Sequence, residues 1–247
     1  MTRGRRGAHW TLITPDNHYV SRLAELRQAA VVKLATPRIA PARFGQYLVR
    51  LEPGGGTRTP LPAGQEHFLY VLEGRVDAGA PLGPGGFAYV PADTALGFAA
   101  PEGATLLWLK RPYEHAEGYD APAVVRGDRD DEPFTDTPTP GVRRRELLPV
   151  DDPGRDFAMS ILRFDAGCGL PQVEIHDEEH GLWMTAGGGT YFLDGEELPV
   201  QEGDFIYMAP YCPQSFMAGP DGGEYLLYKD AWRDGFPFVQ ARPCATG

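Results

Sequence analysis

Short apolar runs alternate with turn-forming residues along most of the chain. Runs of strand character cover 44–51, 67–72, 87–90 and 105–109, then 159–164, 182–185, 205–208 and 225–230. Glycine and proline punctuate them at short intervals, which favours an antiparallel sandwich or barrel over βαβ units. One stretch departs from this. Leu23, Leu26 and Ala30 keep a helix-like spacing between Tyr19 and Leu34, and Asp16 or Asn17 precedes them as a cap, so one short helix is predicted there. The pattern divides the chain into a lead-in (1–40), a first barrel (41–111), a linker (112–150), a second barrel (151–235) and a tail (236–247). The linker carries the charged run Arg126-Gly127-Asp128-Arg129-Asp130-Asp131-Glu132 and a proline-rich run at 135–140, so it is expected along the surface.

The two barrels repeat one another. Adding 113 maps Arg50 to Arg163, Gly54 to Gly167, Glu66 to Glu179, His67 to His180 and Gly74 to Gly187. After an insertion the shift becomes 118, and Gly85 maps to Gly203, Phe87 to Phe205, Tyr89 to Tyr207 and Phe98 to Phe216. Matched glycines and aromatics imply matched turns and matched core positions.

The second copy departs from the first at positions that carry chemistry. Glu174 and His176 are two residues apart and share one face of an extended segment, and His180 follows four residues later. Two imidazoles and a carboxylate converging from β-structure suit a first-row divalent metal. The first copy has Leu61 and Ala63 where Glu174 and His176 stand, and only His67 survives. The first barrel is therefore expected to be metal-free and structural. Tyr225 and Lys229 are four apart on the last strand and share a face. A lysine facing a barrel interior is costly without an anion, which suggests a carboxylate-bearing small molecule. Position alone equally allows Lys229 to end the strand in solvent.

Composition narrows the class. With 247 residues and 42% hydrophobic content the chain can bury a sizeable core. A net charge of −11 disfavours nucleic acid or an anionic membrane as the main partner. Three cysteines, Cys168, Cys212 and Cys244, form no CxxC pair, so a reducing cytoplasm is expected rather than a disulfide framework. No apolar run reads as a signal peptide or a transmembrane span.

Glu174, His176, His180 and Gly187, followed by Gly203 and the turn at 209–213, resemble the two sequence motifs of the cupin family. That resemblance implies two tandem cupin (double-stranded β-helix, or jelly-roll) barrels and makes Gln214, eleven positions after Gly203, the fourth metal ligand. The usual first histidine is Glu174, the usual glutamate is His180 and the usual last histidine is Gln214. This mixed N/O set lacks thiolate and suits Mn²⁺ best, with Fe²⁺, Ni²⁺ and Zn²⁺ open.

The run 174–181, the run 203–208, Gln214 and the ending 225–230 are further similar to the (S)-ureidoglycine aminohydrolase family. The resemblance implies Mn²⁺ on Glu174, His176, His180 and Gln214. It implies substrate contacts from Glu174, Gln214, Tyr225 and Lys229 with Tyr191 close by; as a mechanistic expectation, Glu174 and Lys229 are the catalytic pair. The implied reaction is hydrolysis of (S)-ureidoglycine to (S)-ureidoglycolate and ammonia, by a homo-oligomer. The alternatives are another metal-dependent cupin enzyme, such as a dioxygenase or isomerase of a small acid, a non-catalytic small-molecule binder, or an inactive cupin.

Overall fold

A computed structural model describes residues 2–120 and 122–231. Almost every regular element is a strand, and the strands form two antiparallel sheets. In the first sheet, Gln65–Gly74 lies between Gly86–Val90 and Ala104–Pro112, and Gly45–Thr57 follows. The second sheet repeats that order. His180–Leu193 lies between Phe205–Met208 and Gln214–Asp230, and Phe157–Phe164 follows. The turns match as well, since Gly74 and Gly187 both take positive φ, at 76° and 63°.

The repeat reaches further than the barrels. Trp10–Ile13, from the lead-in, pairs with Phe205–Met208 of the second sheet. Val125–Asp128, from the linker, pairs with Gly86–Val90 of the first. Each barrel thus receives an edge strand from the segment preceding the other. The next strands, Leu26–Ala35 and Val142–Leu148, pair with Gly45–Thr57 and Phe157–Phe164.

The predicted helix is absent. Only a three-residue 3₁₀ turn, Pro15–Asn17, interrupts the lead-in, and Leu26–Ala35 is a strand. The reason is burial on both faces. Val31 enters the core of the first barrel, whereas Val32 and Leu34 enter a core shared by both barrels. A strand covered on two sides shows no clean period of two, and tertiary pairing overrides local spacing.

The linker is likewise more than a surface strap. Arg129 reaches the buried Glu224 of the second barrel at 2.9 Å, and Arg145 meets Asp130 at 2.6 Å. Phe134 lies under two guanidinium groups, 4.2 Å from Arg145 and 4.1 Å from Arg163.

The barrels join through an apolar layer and a doubled polar lock. Phe44 stacks on Tyr228 with ring centroids 4.1 Å apart, and its counterpart Phe157 meets Tyr89 at 5.9 Å. The fully buried Glu66 accepts from the Tyr89 hydroxyl at 2.5 Å and from the Asp156 backbone N–H at 3.2 Å. The fully buried Glu179 accepts from the Tyr207 hydroxyl at 3.3 Å and from the Arg43 backbone N–H at 3.0 Å. Every member of one set maps onto the other by the same shifts that define the repeat.

Burial pushes the Glu179 carboxyl up to about 7. A raised folded-state value means its protonated form stabilises the fold, fully so below the unfolded value and less as pH rises through 7. Glu179→Gln should therefore gain stability relative to the parent between about pH 4.5 and 7, by up to roughly 3 kcal/mol. Denaturation of both proteins across that range checks it; a difference that does not vary with pH would remove the cause assigned here.

Candidate functional site

The site lies at the mouth of the second barrel. Residues 171–179 lie between the strands Phe157–Phe164 and His180–Leu193 and carry bends and a single bridge rather than a strand of their own. Glu174 and Gln214 form a two-way backbone bridge, with N–H to carbonyl distances of 2.8 and 3.0 Å. In a pair of this kind both side chains stand on one face. The first barrel makes the same bridge between Leu61 and Leu96. The fold therefore supplies the scaffold twice, and the residues on it differ.

His176 follows Glu174 on the same face, and its carbonyl is held by the Tyr211 N–H at 2.7 Å. Tyr211 sits at a φ of 63°, a left-handed conformation uncommon for an L side chain. His180 opens the long strand, flanked in register by Met208 on one side and Lys229 on the other. The glycine after it is dictated by packing, because a Cβ at Gly181 would stand 2.6 Å from Gln46 Oε1 and 2.8 Å from the Phe44 ring.

The register also sorts the last strand. Tyr225 belongs to the second barrel's core, whereas Leu226 and Tyr228 belong to the layer between barrels. Lys229 shares the face of Tyr225 and stands opposite His180. It does not simply reach solvent, since its ammonium lies 2.9 Å from Glu178 Oε1.

The convergence is tight. His176 Nε2 and His180 Nε2 are 3.2 Å apart, and Gln214 Nε2 lies 3.0 Å from His176 Nε2. The Tyr191 hydroxyl points at Gln214 Oε1 from 3.5 Å. Glu174 is half-buried, and its charge acts on both Tyr191 and Tyr225.

Two imidazole nitrogens bound to one ion at about 2.1 Å would stand roughly 3.0 to 3.4 Å apart for right-angle to tetrahedral geometry. The observed 3.2 Å falls in that window. The Gln214 amide, turned over, would present oxygen where its nitrogen stands, which makes it a fitting third donor. His176 Nδ1 lies 2.9 Å from Glu178 Oε2, in ion-pair reach without hydrogen-bond alignment, while Nε2 is turned toward His180 and Gln214. Among the described residues no three His, Cys, Asp or Glu side chains close into a ready-made cluster. The pocket instead combines two imidazoles with an amide, and Glu174 adjoins them through the bridge. The residues fit a divalent ion of mixed N/O preference.

The electrostatics agree with coordination chemistry. Burial, with smaller contributions from His176 and Lys229, pushes the His180 imidazole down to about 3, so the ring is neutral. Contacts with His176 and then Lys229 hold Glu178 far below the ordinary carboxylate range. Burial raises both tyrosine hydroxyls, Tyr191 and Tyr225, well above their ordinary value, so both stay protonated donors. Cys212, two residues before Gln214, is a buried core residue whose thiol burial pushes up to about 12.

In the first barrel the corresponding place is filled differently. His67 Nδ1 accepts from Trp108 Nε1 at 3.3 Å, and Lys110 is taken by Glu25 at 2.8 Å. Cys244 and the tail at 236–247 lie outside the described residues.

Sequence reasoning did not single out Glu178. No signal marked it, because its repeat counterpart is Gln65. The interbarrel glutamates did carry a signal in the matched pairs Glu66/Glu179 and Tyr89/Tyr207, which read only as generic core positions.

No family model matches the chain. It is similar to a protein of Oryza sativa subsp. japonica named "Probable (S)-ureidoglycine aminohydrolase", 36% identical over 230 residues that span 90% of this chain and 73% of that one. It is also similar to the (S)-ureidoglycine aminohydrolase of Escherichia coli (strain K12), 33% identical over 92% of this chain and 90% of that one. Among solved structures, the protein Ylba from E. coli superposes with a TM-score of 0.81 at 30% identity, over 93% of each chain. A Cupin 2 conserved barrel domain protein from Leptotrichia buccalis superposes with a TM-score of 0.58 at 16% identity, over 89% of this chain and 95% of that one, a likeness of fold alone. The architecture is all-β, with two tandem barrels of the cupin type. Among the described residues no helix is long and apolar enough to cross a membrane.

Proposed function

The chain belongs to the (S)-ureidoglycine aminohydrolase family, and on that premise we propose that it is a Mn²⁺-dependent hydrolase converting (S)-ureidoglycine and water to (S)-ureidoglycolate and ammonia in purine (allantoin) breakdown. The observation that carries this reading is the convergence of His180 and Gln214 on His176 Nε2, at 3.2 and 3.0 Å, next to a lysine opposite His180.

Glu174, His176, His180 and Gln214 would hold the ion. Bound there, it would supply a Lewis acid that orients the substrate and acidifies water. The remaining work falls to side chains. Lys229 attracts the substrate carboxylate by charge. Tyr191 and Tyr225, both protonated, donate to substrate oxygens from the barrel floor. Glu174, half-buried beside the two imidazoles, takes a proton from the attacking water and returns it to the departing amine, the task of a general base that becomes a general acid. Burial of these groups in one pocket strengthens each interaction relative to bulk water.

Lys229→Ala should lower kcat on freshly generated ureidoglycine by about 10²-fold and leave the bound metal in place. Ammonia release and metal content, measured on one preparation, decide it. Loss of metal in that variant would remove Lys229 from the substrate side of the site.

A further inference from the structure

Glu178 takes no part in the ligand set, yet it touches two of its neighbours at once. Oε2 lies 2.9 Å from His176 Nδ1, and Oε1 lies 2.9 Å from Lys229 Nζ. The carboxylate is about one-fifth exposed, so these contacts are shielded from bulk water without being sealed from it. It sits in the short turn between the two imidazoles, with His176 two residues before it and His180 two after.

We propose that Glu178 is a positioning residue that couples the metal site to Lys229. One oxygen fixes the tautomer and direction of the His176 ring, as an outer carboxylate does for a ligating imidazole. The other holds the end of a four-carbon side chain that would otherwise sample several rotamers. The same negative charge would offset the repulsion between the Lys229 ammonium and a metal ion held on His176.

The first barrel isolates the arrangement. Its matched lysine, Lys110, is held by Glu25 from the lead-in, and that carboxylate does not bridge to the matched histidine, His67, whose Nδ1 accepts from Trp108. A lysine–glutamate pair therefore recurs in both barrels, but among the described residues only in the second does the glutamate also meet an imidazole, His176, whose Nε2 faces His180 and Gln214.

The Lys229 half of this inference rests on the function proposed above; the His176 half does not. Two variants separate the roles. Glu178→Ala removes both contacts. Glu178→Gln keeps a carbonyl oxygen beside His176 Nδ1 and loses the charge that faces Lys229. Titration with Mn²⁺ alone, followed by calorimetry, needs no turnover. Glu178→Ala should weaken Mn²⁺ binding by roughly 10–100-fold, and Glu178→Gln should recover it to within about threefold. Unchanged affinity in the alanine variant, or equal losses in both, would overturn the proposal.

Kinetics read the second contact. In Glu178→Gln, kcat should fall about tenfold with KM unchanged or lower, because an unopposed ammonium still attracts a carboxylate. A raised KM with unchanged kcat would contradict positioning. Adding Lys229→Ala to Glu178→Gln should then cost no more than Lys229→Ala alone; additive losses would show that Glu178 does not act through Lys229. Should the metal-loaded parent release no ammonia, the functional reading fails while the calorimetry still decides the role of Glu178 toward His176.

Discussion

His180→Ala should abolish divalent-metal binding at the second barrel and, with it, ammonia release above the spontaneous background. His180 is 5% exposed, its ring is neutral, and its Nε2 is 3.2 Å from His176 Nε2. Removing it deletes one of two imidazole donors, and nothing in the surrounding strand can replace the nitrogen. Its register neighbours are Met208 and Lys229, a weak acceptor and a cation. The loss in metal affinity should exceed the roughly 10–100-fold typical of an outer residue. His67→Ala supplies the control, because the matched imidazole of the first barrel is engaged by Trp108, and Leu61 and Leu96 stand where the second barrel has Glu174 and Gln214. Comparison of metal content in the two variants checks the account; equal metal loss in both would contradict it.

Arg111→Ala should have the largest effect on stability. Arg111 is 3% exposed, donates to the Tyr228 hydroxyl at 2.8 Å and is paired with Asp230, itself 2% exposed. The pair ties the last strand of the first barrel to the last strand of the second. Its gross attraction is partly offset by the cost of burying both ions, so the intact pair contributes modestly. Breaking it is another matter. Among the described residues, the cation left to Asp230 would be Arg43, at 3.6 Å and partly exposed. An uncompensated buried carboxylate costs about 3–5 kcal/mol, on the order of ten degrees in melting temperature for a chain of this size. Burial already raises the Asp230 carboxyl above its ordinary range. The deficit should therefore shrink as pH falls and the lone carboxyl takes up a proton. Adding Asp230→Asn should recover part of the loss. A deficit under about 1 kcal/mol would place this pair with ordinary surface bridges.

The sequence made some of this legible because the chain carries its own comparison. The shift of 113 set Leu61 against Glu174, and the shift of 118 set Leu96 against Gln214. The structure forms the same backbone bridge at both pairs. The positions proposed to carry the metal are thus interchangeable in fold, and only the residues on them differ.

What stayed hidden depends on contacts that cross long stretches of sequence. Trp10–Ile13 is four residues long, and no local pattern says that its partner is Phe205–Met208, nearly two hundred positions away. Leu26–Ala35 hides its period because both faces are buried. Arg129 reads as a member of a solvated charge run, although the buried Glu224 meets it 95 positions away. Glu178 is one carboxylate in a run of three, and only the positions of His176 and Lys229 distinguish it from its neighbours.

The central claim is that the second barrel, loaded with a divalent ion, removes the amine of ureidoglycine. The direct test is ammonia release from freshly generated (S)-ureidoglycine by the intact protein, first stripped of metal and then reloaded with Mn²⁺, with ureidoglycolate measured in parallel. The account predicts release at background when stripped, fast release on reloading, and one ureidoglycolate for each ammonia. Background release from the reloaded protein, or release indifferent to stripping, would contradict it.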